Sequence, residues 1–96
     1  MKQWRAENKR KARDYQLRLK FGISLAQYDE MLETQHGLCA ICSNAPGKFG
    51  LAVDHNHETN EVRGLLCSQC NVALERLEAV SNWTELAIAY LAKTAL

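Results

Sequence analysis

No apolar run in this chain approaches the roughly 20 residues that a membrane-spanning helix needs. A membrane is therefore not expected as a partner. The N-terminus carries charge and lacks the apolar core of a secretory signal, so the expected compartment is the cytosol. Helix breakers are scarce as well. There is one proline, Pro46, and residues 2–20 contain neither proline nor glycine. Internal repeats and low-complexity segments are absent, which argues against a solenoid. Hydrophobic residues make up 47% and charged residues 24%, as in ordinary globular proteins. At 96 residues the chain has the size of one small domain, which buries little surface and often needs a staple.

Acidic residues are rare at the start of the chain. Residues 1–20 carry eight Lys and Arg against Glu7 and Asp14, while the remainder carries four basic and nine acidic residues. Such a split suggests a basic arm, residues 1–22, that touches a polyanion such as DNA through Lys9, Arg10, Lys11 and Arg13. A solvated helix face is the alternative. Trp4 and Tyr15 in the arm could stack on bases or anchor the helix. Residues 23–96 then form the domain proper.

The composition of residues 2–20 favours a helix ending near Phe21-Gly22. In "ISLAQYDEMLETQHG", Ser24 and Gln27 have the spacing of a capping box, with Ile23 and Tyr28 as its hydrophobic staple. Leu25, Tyr28, Met31 and Leu32 share one face, and Gly37 is a natural stop. Residues 38–50 are rich in turn formers. "LAVDH" and "VRGLLC" read as two short strands of a hairpin. A helix follows from Ser68, with Ala73, Leu74, Leu77 and Val80 as candidate core positions. The last segment places Trp83, Leu86, Ala87, Tyr90 and Leu91 on one stripe, suited to a core or to a partner face in a homodimer.

Cys39 and Cys42 form one C-x-x-C pair and Cys67 and Cys70 a second, with 24 residues between the pairs. Two such knuckles turn four thiolates toward one cation and complete a closed tetrahedral zinc site. A closed site has no place for substrate, so the zinc is structural and its binding energy is folding energy. Two disulfides fit a cytosolic chain poorly, and a lone redox pair does not explain the second motif.

The zinc would pin both ends of the segment that carries "VDHNH", residues 53–57. It would also press Asn71, just after the last cysteine, toward the hairpin. Asp54 and Asn71 offer hard oxygen ligands suited to Mg2+ or Mn2+. His55 could accept a proton from water near neutral pH. Each side chain also has an ordinary structural alternative: a turn cap for Asp54, a satisfied half-buried ring for His55, an exposed turn residue for His57 and a helix-start residue for Asn71. Asn56 is open between spacer and phosphate contact. His36 reads as a polar residue at a helix C-terminus.

The order C-x2-C, "VDHNH", "VRGLLCSQCN" resembles the His-Me finger nucleases (ββα-metal, HNH-type), and within them the recombination endonuclease VII family of phages. The resemblance covers roughly residues 28–75. It implies an α+β fold, a zinc-stapled hairpin plus helix flanked by helices, and a metal-dependent DNA endonuclease. Asp54 and Asn71 would hold the catalytic metal, His55 would be the general base, and His57 would contact or orient the scissile phosphate. Arg63 could reach a phosphate or serve the strand. The further acid that the family carries three residues after the asparagine is Leu74 here, with Glu75 one place later. A junction resolvase and a nicking or homing enzyme are both compatible with this reading, as is the rival of a non-catalytic zinc-ribbon DNA-binding regulator.

Overall fold

The computed structural model describes residues 2–48 and 50–94. Phe49, within the stretch read as turn-rich, lies outside the described residues, as do Met1, Ala95, Leu96 and the side chains of residues 2, 3 and 94. The order is α1 (Lys2–Phe21), α2 (Leu25–Thr34), β1 (Ala52–His55), β2 (Val62–Leu66), α3 (Ser68–Ala79) and α4 (Trp83–Thr94). This is the expected α+β arrangement. Among the described residues no helix is long and apolar enough to cross a membrane.

The local signals act as the sequence suggests. The Ser24 hydroxyl accepts from the Gln27 N–H at 3.1 Å, and the Gln27 side chain accepts from the Ser24 N–H at 2.7 Å. That capping box starts α2 by satisfying two N–H groups that the helix cannot. A further one, on Leu25, donates to the Asp14 carboxylate of α1 at 2.8 Å. This bond, then the Arg18 guanidinium, holds the Asp14 carboxyl below its usual range. At the other end the left-handed turn begins one residue before the glycine. His36 has φ 57° and Gly37 φ 72°, and the Gly37 N–H donates to the Leu32 carbonyl at 2.8 Å. His36 therefore helps to end the helix rather than merely decorating its terminus.

β1 and β2 pair antiparallel, Ala52 with Leu66, Val53 with Leu65 and Asp54 with Gly64. The register then slips, so that His55 faces Val62 and Arg63 is the extra residue of a β-bulge. Leu51, Val53, Leu65, Leu66 and Cys39 are buried at this centre, joined by Tyr28 from α2 and Leu17 from α1. Burying a leucine such as Leu65 or Leu51 contributes roughly 1.5–3 kcal/mol.

Two polar clasps fasten α2 to the hairpin. The Tyr28 hydroxyl donates to the buried Leu51 carbonyl at 2.7 Å. The Gln35 amide imitates a strand: its oxygen accepts from the Leu65 N–H at 2.9 Å, and its nitrogen donates to the Leu65 and Leu38 carbonyls at 2.9 and 2.8 Å. Gly64 lies beside this clasp, where a Cβ would be in ordinary contact, 3.4 Å from the Gln35 amide oxygen. The flanking helices are less engaged, and the molecule measures 61 × 29 × 20 Å.

Candidate active site and metal centre

The four cysteines converge. Their sulfurs all lie within 4.8 Å of one another, and none forms a disulfide. The Cys42 and Cys67 sulfurs are 3.8 Å apart. Zinc–thiolate bonds of about 2.3 Å in a tetrahedron place sulfurs roughly 3.8 Å apart, whereas a disulfide needs about 2.05 Å. The set therefore fits a four-thiolate zinc site. Its local scaffold is ready: Cys67 is the N-cap of α3, and its sulfur accepts from the Cys70 N–H at 3.4 Å.

Titration of the thiols reflects their crowding. Burial opposes ionisation of Cys39, yet hydrogen bonds from the backbone of Cys42, Cys67 and Ile41 bring it down to about 6. Bonds to the Cys67 and Cys42 thiols, with desolvation and the Cys39 charge, push Cys70 up to about 12. Four thiolates cannot gather here without a cation to hold them.

Beside this centre, Asp54 is the buried charged residue of β1. Its carboxylate accepts a two-pronged bond from Arg63, Nε to Oδ2 at 2.8 Å and Nη2 to Oδ1 at 2.9 Å. Arg63 also reaches Glu78 of α3, Nη2 to Oε1 at 2.8 Å. The bulge explains the reach, because the extra residue turns its side chain out of the strand's normal alternation. Asp54 and then Glu78 hold the Arg63 guanidinium firmly protonated. The strand arginine is thus a bridge from hairpin to helix. Each Asp54 oxygen keeps a lone pair beyond the arginine, so the carboxylate still fits a hard cation.

His55 is half-buried in a row of three rings. Its centroid lies 5.6 Å from that of Phe21 in α1 and 4.7 Å from that of His57, the latter edge-on. Asn56 builds the turn between the strands: its side-chain oxygen accepts from the Glu58 and Thr59 N–H groups at 2.8 and 3.2 Å. The choice between spacer and phosphate contact is therefore tilted toward a turn-forming role.

Two of the predicted site residues, Asn71 and His57, line separate clefts, and Asp54 and His55 line neither of these. Asn71, in the first turn of α3, lines a cleft of about 530 Å³ with Phe21, Ala52 and Val53. Its amide has no hydrogen-bond partner among the described residues and is open to a ligand. His57, Arg63, Glu75 and Glu78 line another, of about 650 Å³. The row Phe21–His55–His57 runs from one cleft to the other. Glu75, one place beyond the position of the family's acid, shares the cleft of His57.

On the basic helix, Arg10 pairs with Asp29 at 3.1 Å, and the Arg13 guanidinium lies 5.2 Å above the Tyr28 ring. Lys9 and Lys11 have no ion-pair partner among the described residues. Phe21 and Glu78 are the participants that sequence reasoning missed. Phe21 stands at a helix end with no motif around it. Glu78 is one of several glutamates on α3, and only the bulge at Arg63 selects it.

Two phage proteins share part of this sequence. The Gene 59 proteins of Mycobacterium phage D29 and Mycobacterium phage L5 are each 50% identical over 52 residues, which is 53% of this chain and 32% of theirs. The chain spans about a third of the length of these curated relatives. A family profile described as recombination endonuclease VII matches residues 12–93, which include α2, the hairpin, all four cysteines, Asp54, His55, His57 and Asn71. With most of its length so matched, this chain belongs to the recombination endonuclease VII family.

Proposed function

We propose that this chain is a His-Me finger, HNH-type endonuclease that hydrolyses phosphodiester bonds of DNA in a metal-dependent reaction, as in junction-resolving nucleases. The observation that carries this reading is the His55 imidazole held between Phe21 and His57, next in sequence to the buried Asp54 carboxylate. Rings on both sides fix its plane, and half-burial leaves one edge for water. His55 takes a proton from that water as it attacks the phosphorus. Asp54 and Asn71 would hold a divalent cation, Mg2+ or Mn2+, through oxygen. The chemistry supplied by that ion is neutralisation of charge on the phosphate and the leaving oxygen. Arg63 fixes the Asp54 carboxylate from the other side. The Arg63 edge not used by Asp54 and Glu78 is available to a phosphate. His57 orients His55 and faces the substrate. The four cysteines hold a structural zinc, and α1 supplies phosphate affinity.

The test incubates supercoiled plasmid, four-way junction, linear duplex and single strand with protein and Mg2+ or Mn2+, against a chelator control. Junction cleavage that exceeds duplex cleavage is expected. His55→Ala should slow it by roughly 10²–10⁴-fold while leaving the melting temperature and DNA binding in place. A His55→Ala protein that cuts at the wild-type rate would remove the general base from this scheme. Binding without cutting under any divalent ion would point instead to a zinc-ribbon regulator.

A further inference from the structure

The basic residues of α1 are not equivalent, and Leu17 decides which of them matter. It is 1% exposed and fixes the rotation of the helix against the hairpin. Lys9, Arg13, Gln16 and Lys20 follow at spacings of four, three and four, and so share one flank of the helix. Lys11 lies about 200° around the helix from Lys9, on the far flank. Along the near flank run two adjoining furrows of about 480 and 530 Å³. Lys9 lines the first, Lys20 the second, and Arg13 and Gln16 line both. The second furrow ends against Ser68 and Asn71 of α3.

We propose that this flank is a phosphate track that delivers one DNA strand along α1 to the Asn71 end of the active site. The proposal rests on the nuclease reading above and names the substrate path within it. The first furrow has a mostly apolar surface and the second a mixed one, so the attraction for a phosphodiester backbone comes from Lys9, Arg13 and Lys20 along them. Lys9 and Lys20 have no ion-pair partner among the described residues. Arg13 is steadied over the Tyr28 ring, which leaves guanidinium N–H groups for an anion. Gln16 adds a neutral donor between the charges. From Lys9 to Lys20 the helix rises about 16 Å, the axial length of roughly five phosphates of one duplex strand. Arg10 also lines the first furrow, but its charge is taken up by Asp29 at 3.1 Å.

The test compares two variants that each lose two positive charges. Lys9→Gln/Lys20→Gln alters the track, and Arg76→Gln/Lys93→Gln alters surfaces of α3 and α4. Anisotropy of a labelled duplex is read across a salt series with chelator present, where the slope of log affinity against log salt counts phosphate contacts. The track variant should lose about 1.8 from the magnitude of that slope, and the other variant should keep the wild-type slope. Cleavage should then show KM raised in the track variant with kcat retained. Equal slopes in the two variants would overturn the track, even if the wild-type protein cuts DNA. Unequal slopes in a protein that cuts nothing would keep the track and overturn the nuclease reading.

Discussion

The four-cysteine finger and the helices that flank it are held by different means. In the finger, Leu51, Val53, Leu65, Leu66 and Cys39 form one buried cluster, and Cys39 is among four converging thiols. In α1, a helix of 20 residues, Leu17 is the buried anchor among the described side chains. Along α4, Leu86, Ile88, Tyr90 and Leu91 remain 54–67% exposed. The finger thus gathers most of the buried side chains and the four converging thiols into one small core. Of the flanking helices, α1 is mounted on it by buried Leu17 and by Phe21 packed against the core. This division lets the finger hold chemistry rigidly while α1 presents charge outward.

Removing the staple should have the largest effect. Cys42→Ser deletes a zinc ligand, and the metal's binding energy is folding energy. Zinc content is expected to fall from one ion per chain, with loss of cooperative melting by circular dichroism. Full retention of melting would mean that the apolar core suffices and that the two regions differ less than described.

Next comes the anchor of α1. Leu17→Ala should cost about 2–4 kcal/mol, read by urea denaturation. Hydrogen exchange is expected to speed up in α1 more than in β1 and β2. Uniform loosening of helix and hairpin would erase the distinction between them.

Arg63→Gln tests how the finger itself is tied to α3. It leaves the Asp54 carboxylate buried without its partner and should lower the melting temperature. Millimolar Mg2+ should recover part of that loss in a thermal melt, because a cation can take the place of the guanidinium. If Mg2+ returns none of the loss, Asp54 is not the metal ligand proposed.

The smallest effect concerns the link from α1 to α2. The Asp14 carboxyl lies below its usual value of 3.8 when folded, so its contribution is present above that pH and fades as pH falls through the lowered folded value. Asp14→Asn should therefore narrow its gap from wild type on acidification below pH 3.8, as followed by melting temperature. A gap that widens in acid would reverse the assignment.

Much of this was legible in the sequence because it is written at short range. The C-x-x-C pairs, the Ser24–Gln27 box and the alternation around Val53 each depend on neighbours a few residues away. The helices begin and end where such signals stand, and the thiols meet as their spacing requires. The Arg63 clamp was not legible. In "VRGLLC" the arginine reads equally as a DNA contact or a strand residue, and the register slip that turns it onto Asp54 depends on pairing across the hairpin. Gln35, which no sequence motif singles out, is a backbone mimic for Leu65 because the end of α2 packs against β2.

The sequence by itself determined the elements, the metal-binding thiols and the identities of the candidate catalytic side chains, since these follow from residue chemistry and local spacing. Only the tertiary structure decided what those side chains face. Phe21 meets His55, Glu78 meets Arg63, and one flank of α1 rather than the other meets the cleft of Asn71. The physical reason is that rotation of a helix and register of a hairpin are set by which side chain enters the shared core. Here Leu17 and the bulge at Arg63 made that choice.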